Sequence, residues 1–307
     1  MTMREGRVRV NRMEIHYLAW NLPGNVGAPA KPGDGASLPL LLLHGFLDHA
    51  WSFVPFVDAF LEQSLAAGVA PRPVIAVNLR GHGDSDWVQG GYYHFPDYTL
   101  DVLGVADAVG AKRFALLGHS MGGMAACVVA GAWPERVAQL VVIEGVGPQA
   151  GNIEEAPDRY REWFEGVRRA GKREHGEVES LDAAAKSLQR LHPLPGDDLA
   201  RYLAKSGTRA LPDGRLVWKS DPLHRTRAPQ PFHLPQAQAF FRRVECPVLF
   251  LTGGESAFRH FDVGDRLSCF RDLRTREIAD AGHMVHHDQP GLLAEAVCDF
   301  ISTSGAA

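Results

Sequence analysis

A serine flanked by glycines is the residue of this chain best placed to do chemistry. Ser120 lies in Gly118-His119-Ser120-Met121-Gly122, the pattern Gly-x-Ser-x-Gly, between an apolar run and a segment of small residues. This context predicts a strand, a sharp turn and a helix. A strand can turn into a helix within one residue only where the neighbouring residues lack a Cβ, so Gly118 and Gly122 favour a strained, exposed turn. Such a turn presents a hydroxyl group for nucleophilic attack.

A serine hydroxyl is a poor nucleophile at neutral pH and needs a neighbouring base. The chain offers fourteen histidines, and several of them stand in glycine turns that follow apolar, strand-like runs. These turns are His44-Gly45-Phe46, Arg80-Gly81-His82-Gly83-Asp84-Ser85 and Ala281-Gly282-His283-Met284.

In this order and spacing, the four turns resemble those of the α/β-hydrolase fold family, and the resemblance runs from about Val8 to Phe300. It implies a mostly parallel sheet flanked by helices, with an inserted helical cap. We therefore expect an α/β-hydrolase core in residues 1–145 and 245–307 and a cap in residues 146–244. Epoxide hydrolases and haloalkane dehalogenases resemble this fold but use aspartate at the position of Ser120, so the serine disfavours those two chemistries.

The resemblance makes His283 the catalytic base, because the family's histidine lies in a turn after the last strand-like run and follows the serine in the chain. His286 and His287 are rivals, but both precede the predicted start of the last helix. A metal site formed by His283, His286, His287 and Asp288 is the weaker alternative, since Ser120 and its turn would then have no purpose. We expect no metal.

Three histidines of the glycine turns are expected to be structural. His44, His82 and His119 are predicted to hydrogen bond the backbone of their turns rather than to act as bases. Asp48 and Asp84 are predicted to be turn formers.

An acyl-transfer transition state carries an oxyanion, which needs preorganised hydrogen-bond donors. In the family, two backbone amides supply them, and the resemblance assigns these amides to Phe46 and Met121. The Phe46 side chain would then line the acyl side of the pocket. The alternative is a core aromatic residue whose amide is engaged elsewhere.

The acid of the triad is where this sequence departs from the common family pattern. In most relatives an aspartate follows the strand that matches residues 247–252, but Ser256 holds that position here and cannot stabilise an imidazolium by charge. Glu144 is the favoured substitute, because a carboxylate that closes an all-apolar strand is costly to bury without a partner. In some branches of the family the acid follows this strand. Glu255 and Asp262 are the alternatives, as is a Glu144 that binds only the amides of the next turn.

Alternating apolar runs and helical periods must position these residues. We predict strands at 39–43, 74–78, 113–117, 138–143, 247–252 and 273–278, and helices at 52–67, 97–109, 121–132, 257–269 and 290–303. Continuous apolar strands covered by helices indicate a mostly parallel sheet, and active sites of such sheets lie at the carboxyl ends of the strands.

The remaining segments complete the predicted organisation. Residues 8–20 are expected to form a hairpin that turns at Asn11 and Arg12, and residues 23–37 a surface loop. From Gly145 to about Val244 helical periods dominate, which fits the expected cap.

Composition excludes several classes of function. The 307 residues, 45% hydrophobic and 22% charged, suit one soluble core with a sizeable insertion. The net charge of -4 is not accompanied by any basic patch, so we expect no nucleic-acid partner.

No apolar run is long enough to span a membrane, and the first residues lack the pattern of a secretion signal, so we expect a cytoplasmic location. Four scattered cysteines are expected to be reduced core thiols: Cys127, Cys246, Cys269 and Cys298.

The resemblance thus implies a serine hydrolase that acts on a small-molecule carboxylic ester, without a cofactor, through an acyl-enzyme at Ser120. Relatives with the same triad hydrolyse carbon-carbon bonds of vinylogous diketones, lactones or thioesters, and some members of the fold are non-catalytic receptors for small ligands. These alternatives stay open, and the sequence makes no prediction of the oligomeric state.

Overall fold

Two sheets are present in the computed structural model, which describes residues 3–22, 38–69, 72–171, 176–193, 196–260 and 264–303. The strands in chain order are β1 (Met3–Val10), β2 (Met13–Trp20), β3 (Leu40–Leu43), β4 (Val74–Val77), β5 (Phe114–His119), β6 (Val137–Ile143), β7 (Glu177–Val178), β8 (Thr208–Ala210), β9 (Leu216–Trp218), β10 (Val248–Gly253) and β11 (Leu273–Ile278). Eight of them form the main sheet, in the order β1-β2-β4-β3-β5-β6-β10-β11.

The main sheet is parallel except at one edge. Strand β2 pairs antiparallel with both β1 and β4, and the other neighbours pair in parallel. The β1–β2 pair is the predicted hairpin, and its turn residues Asn11 and Arg12 have φ angles of 44° and 69°. The α/β-hydrolase fold class predicted from the sequence is confirmed.

Helices cover both faces of this sheet. In chain order they are α1 (Val54–Ala66), α2 (Asp97–Ala108), α3 (Met121–Ala132), α4 (Ala156–Ala170), α5 (Leu181–Leu191), α6 (Asp197–Gly207), α7 (Leu234–Phe241), α8 (Gly264–Leu267), α9 (Val285–Asp288) and α10 (Pro290–Thr303). Short 3-10 helices are formed by Ala50–Phe53, Pro134–Arg136, Ile153–Glu155, Pro222–Arg225 and Ala257–His260. No helix in the described part of the chain is long and apolar enough to cross a bilayer.

The continuous apolar runs of the sequence follow from two cores, one on each face of the sheet. Leu40 and Leu42 of β3 pack into the core that includes α1 and α10, while Leu41 and Leu43 pack into the core that includes α2, α3 and α7. All four leucines are fully buried. A strand buried on both faces has no polar face to alternate, which is why its sequence shows no period of two.

The segment between β6 and β10 contains helices α4 to α7 and a small antiparallel sheet in the order β7-β9-β8. The helices agree with the helical periods of the sequence, and the limits of a cap at 146–244 stay a prediction. The small sheet was not predicted, because strands of two or three residues are too short to show a period. Helix α7 packs against α3, so this segment returns to the main sheet before β10.

Predicted strand and helix limits lie close to the observed ones, with one exception. The helix predicted over 257–269 is wrong in its described parts, which form a 3-10 turn (Ala257–His260) and the one-turn helix α8. Gly264 at the start of α8 weakens a continuous helix, because glycine loses more backbone entropy there than other residues. The loop predicted over 23–37 lies outside the described residues.

Candidate active site

Ser120 lies in a sharp turn between β5 and α3. Its φ and ψ angles are 50° and -115°, a strained conformation for a residue other than glycine. A Cβ on Gly118 would lie 2.3 Å from the carbonyl oxygen of Gly122, and a Cβ on Gly122 would lie 2.3 Å from that of Leu43. The Ser120 amide donates to the carbonyl of Ile143 at 2.8 Å, which ties the turn to the end of β6. The two glycines are therefore what allows the turn to form.

The turn after β3 brings Phe46 close to Ser120. A Cβ on Gly45 would lie 3.4 Å from the Cβ of Ser120 and 2.7 Å from Nδ1 of His119, so the backbone approaches the serine closely at this glycine. The next residue is Phe46, whose side chain is 50% exposed and is therefore not part of a core. The backbone amide of Phe46 directly follows Gly45, the residue whose backbone approaches Ser120.

Met121 is the first residue of α3. The first four amides of a helix have no partner within the helix, and the helix dipole adds a partial positive charge at this end. The amide of Met121 therefore stands directly after Ser120 at a place where negative charge is stabilised.

Glu144 and His283 are in contact. Nδ1 of His283 lies 2.6 Å from Oε2 of Glu144, and the Glu144 side chain is 1% exposed. A neutral imidazole that donates from Nδ1 leaves an unprotonated Nε2. The side chain of Glu255 is exposed, and Asp262 lies outside the described residues. Of the three carboxylates predicted as candidates, it is Glu144 that the structure places against His283.

Ser256, at the position where most relatives have the aspartate, is a partner of Glu144. Its Oγ donates to Oε2 of Glu144 at 2.8 Å, and the amide of Gly253 donates to Oε1 at 2.9 Å. Oγ of Ser256 also accepts from the amide of Phe258 at 3.1 Å. These bonds satisfy a buried carboxylate that would otherwise be costly.

Two rings hold the imidazole of His283. The ring centroids of His119 and Phe258 lie 4.6 Å and 4.4 Å from that of His283. Nε2 of His119 also donates to the carbonyl oxygen of His283 at 2.9 Å. Burial, and then the neighbouring histidines, keep the pKa of His119 well below its usual value, so this ring is neutral.

The other two glycine-turn histidines hydrogen bond the backbone, as predicted. Nδ1 of His44 donates to the carbonyl of Gly45 at 2.8 Å, and its Nε2 accepts from the amide of Leu79 at 3.0 Å. Nδ1 of His82 donates to the carbonyl of Arg80 at 3.1 Å. Burial lowers the pKa of His44 to about 4. Both rings are engaged and buried, which suits a structural role.

The four residues weighed as a metal site are divided in the structure. His283 contacts Glu144, and Asp288 accepts a hydrogen bond from the amide of Gly282 at 2.8 Å. Nε2 of His286 lies 3.2 Å from Oδ2 of Asp48 instead.

The prediction of Asp48 and Asp84 as simple turn formers was incomplete. Asp48 is buried, and its Oδ2 accepts from Oγ of Ser52 at 2.8 Å as well as facing His286. Asp84 forms an ion pair of 2.8 Å with Lys219. Both carboxylates make contacts distant in sequence, which local turn patterns do not reveal.

An open pocket of about 400 Å³ borders His283. Among the residues that line it are three carboxylates, those of Glu255, Asp280 and Asp288. The pocket is large enough for a small organic group, and its charge disfavours an anionic one.

Comparison with known proteins decides the family. The sequence profile of the alpha/beta hydrolase family matches residues 40–296, from the first parallel strand into the last helix. The chain belongs to the alpha/beta hydrolase family.

Relatives of this alpha/beta hydrolase span most of its length. It is 25% identical over 285 residues to "Serine hydrolase-like protein" of Danio rerio, and the match covers 88% of this chain and 83% of the relative. It is 27% identical over 281 residues to "sn-1-specific diacylglycerol lipase ABHD11" of Mus musculus, with the same coverage of 88% and 83%. The crystal structure of the hypothetical protein PA1622 from Pseudomonas aeruginosa PAO1 is similar with a TM-score of 0.80 and 28% identity, over 99% of both chains.

Sequence reasoning missed several residues around the site of this alpha/beta hydrolase. His224, from the segment between β6 and β10, stacks on the ring of Tyr93 at a centroid distance of 3.8 Å and contacts the tilted ring of His82 at 4.0 Å. Phe46 meets the same ring edge-on at 6.4 Å. No local pattern marks His224. Ser256 could have been found from the sequence. It stands where most relatives have the aspartate, and with Glu144 predicted as the acid, the residue at that position is a candidate partner for Glu144.

Proposed function

We propose that this alpha/beta hydrolase cleaves uncharged carboxylic esters with Ser120, His283 and Glu144 as its triad. The observation that carries the proposal is the 2.6 Å contact between Nδ1 of His283 and the buried carboxylate of Glu144. Ser120 follows β5, Glu144 follows β6 and His283 follows β11, so all three lie at the carboxyl edge of one sheet.

Each member of the triad has a distinct task. Nε2 of His283 takes the proton from Oγ of Ser120 as this oxygen attacks the ester carbonyl. The carboxylate of Glu144 fixes the ring with its proton on Nδ1 and stabilises the imidazolium that forms. The strained backbone of Ser120 and the close approach of Gly45 to its Cβ restrict the serine to the turn between β5 and α3.

Charge on the carbonyl oxygen is met by backbone amides. The amides of Met121 and Phe46 are the proposed donors, one at the start of a helix and the other in the turn next to Ser120. The imidazolium of His283 then gives its proton to the departing alkoxide, which leaves as the alcohol. Water attacks the acyl-enzyme with His283 again as the base, and the acid and free Ser120 are released.

The surroundings favour an uncharged, partly apolar substrate. Phe46 and Phe258 are each 50% exposed beside the triad, which offers aromatic surface to an acyl chain. The pocket next to His283 carries three carboxylates, which repel an anionic group. A relative named as a diacylglycerol lipase gives independent support for ester hydrolysis.

The test combines turnover with covalent labelling. The purified protein is assayed on nitrophenyl esters from acetate to decanoate, beside Ser120→Ala and, as a matched control, Ser302→Ala on the exposed face of α10. We expect turnover by the wild type and by Ser302→Ala and none above background by Ser120→Ala. A fluorophosphonate should add to Ser120 alone, as read by peptide mass.

Two outcomes would contradict the proposal. Equal activity of Ser120→Ala and the wild type would remove Ser120 as the nucleophile. Labelling of Ser120 without turnover of any ester would keep the nucleophile but reject esters as the substrate class, and lactones, thioesters and vinylogous diketones would then be assayed.

A further inference from the structure

A second group of polar residues lies behind His283, and the proposed ester chemistry does not use it. Asp48 follows the turn that contains Phe46, and His286 and His287 belong to α9, which begins shortly after His283. One carboxylate oxygen of Asp48 and one nitrogen of each ring all lie within 4.8 Å of one another. The exposed fractions of His286, His287 and Asp48 are 0%, 5% and 9%.

The two histidines have unused nitrogens. Both ring nitrogens of His287, and Nδ1 of His286, are buried and have no hydrogen-bond partner among the described residues. A buried polar atom without a partner destabilises the fold, and an ion bound at one nitrogen of His287 would give that atom a partner.

The donor set and its spacing suit a metal ion. Zinc binds neutral imidazole and carboxylate at about 2.0–2.2 Å, so two such ligands at a tetrahedral angle lie about 3.3 Å apart. Oδ2 of Asp48 and Nε2 of His286 are separated by 3.2 Å. A nitrogen of His287 lies within 4.8 Å of both and supplies the third potential ligand.

Contacts around the three residues resemble those that support metal ligands elsewhere in proteins. Oγ of Ser52 donates to Oδ2 of Asp48 at 2.8 Å and so orients this carboxylate. The ring of Phe53 stacks on that of His286 at a centroid distance of 4.8 Å. This apolar wall limits water and fixes the imidazole plane.

We propose that Asp48, His286 and His287 bind one divalent transition-metal ion of the zinc type. The ion joins the segment that follows the Phe46 turn to helix α9, which follows His283, and takes no part in the ester reaction. The site differs from the four-residue set weighed in the sequence analysis, and it departs from the expectation of a metal-free protein. It does not depend on the proposed function.

The test measures metal binding directly on the full chain. Protein stripped with a chelator is exposed to ZnCl₂ or CoCl₂, passed through gel filtration and analysed for metal, visible absorption and melting temperature. We expect about one ion per chain, the absorption bands of tetrahedral cobalt and a higher melting temperature. Asp48→Asn and His287→Asn should lose all three effects.

Two control variants distinguish this site from other histidines. His94→Asn removes an exposed histidine, and His283→Asn removes the histidine of the proposed triad; both should still retain the ion. The proposal is overturned if the wild type retains no ion, or if either control loses it as fully as His287→Asn does. If the Asp48 and His287 variants do not fold, the cobalt spectra of the wild type and His283→Asn decide. Absorption bands in both proteins support the site. Bands in neither protein, or in the wild type alone, reject the site.

Discussion

Ser256 and Glu144 share a hydrogen bond of 2.8 Å, from Oγ of the serine to Oε2 of the carboxylate. The same Oε2 atom lies 2.6 Å from Nδ1 of His283. The residue that replaces the usual aspartate of the family therefore holds the carboxylate that has taken over the contact with the histidine. Glu144 follows β6 and Ser256 follows β10, so the carboxylate that contacts His283 follows a different strand from the one that the family pattern predicts.

Glu144→Gln tests the acid of the triad. The amide is close in size to the carboxylate but cannot stabilise an imidazolium, so kcat/KM for a nitrophenyl ester should fall by about 10³–10⁴-fold. Glu255→Gln, on an exposed side chain nearby, is the matched control and should keep kcat/KM close to that of the wild type. A loss of similar size in the control, with little effect at Glu144, would assign the acid to Glu255.

A carboxylate introduced at Ser256, after β10, tests whether an acid at the usual family position can replace Glu144. In the double variant Glu144→Gln with Ser256→Asp, the new carboxylate arises next to the atom that now faces His283. We expect it to recover about tenfold or more of the kcat/KM lost in Glu144→Gln, equivalent to about 1.4 kcal/mol of transition-state stabilisation. Ser256→Ala in the same Glu144→Gln background is the control, and recovery by alanine as well would show that the gain is not due to charge.

Buried histidines should make the protein sensitive to mild acid. Burial lowers the pKa of His44 to about 4 and that of His224 to about 3, against 6.5 for an unperturbed ring. Between pH 6.5 and pH 4 the unfolded chain binds more protons than the native protein. The contribution of His44 to the free energy of unfolding is therefore fully present above pH 6.5 and is lost as the pH drops towards 4. Each unit by which such a pKa is lowered corresponds to about 1.4 kcal/mol.

Urea unfolding at a series of pH values checks this dependence. The midpoint should decrease steadily from neutral pH to pH 5, a range in which ordinary carboxylates stay ionised. His224→Gln removes one of the contributing rings and should make the decrease shallower. A midpoint that does not change over this range would show that the buried rings are protonated in the native protein.

Phe46→Ala tests whether this side chain lines the acyl pocket. The substitution keeps the backbone amide proposed for the oxyanion and removes only the ring, which is 50% exposed. We expect kcat/KM for the decanoate ester to fall by about tenfold, through loss of apolar contact, and that for acetate to change little. Leu65→Ala, at a similarly exposed residue of α1, controls for a general effect, and an equal loss on both esters would place the ring outside the pocket.

Local spacing explains why so much of the fold and site could be predicted. The turn at Ser120 and the strands on either side of it depend on neighbours in sequence, so glycines and apolar runs are sufficient to place them. Glu144 was chosen by a related argument, because burial of a charge at the end of an apolar strand demands a partner, and its carboxylate does lie against His283. These features are encoded within a few residues of where they act.

The features that were missed depend on contacts between distant segments or on very short elements. Ser256 reaches Glu144 across 112 positions, and the ring of His82 contacts that of His224 from a different part of the chain. Residue type alone gives no measure of such distances. The pairing of Asp48 with His286, across 238 positions, is of the same kind and was equally hidden.

Gly122→Ala tests the packing that allows the serine turn. The added methyl group would lie 2.3 Å from the carbonyl oxygen of Leu43, a backbone atom of the central strand β3 that cannot move without moving the sheet. We expect loss of ester hydrolysis together with a lower melting temperature, with a destabilisation of about 1–3 kcal/mol for overpacking in a rigid core.

Gly291→Ala is the matched control, because a Cβ at that glycine meets no atom within 4 Å. The control should retain activity and melt at or slightly above the wild-type temperature, since alanine in a helix is favoured over glycine. A Gly122→Ala protein with normal activity and stability would mean that the turn after β5 has room for a side chain, and that the strained geometry of Ser120 does not depend on this glycine.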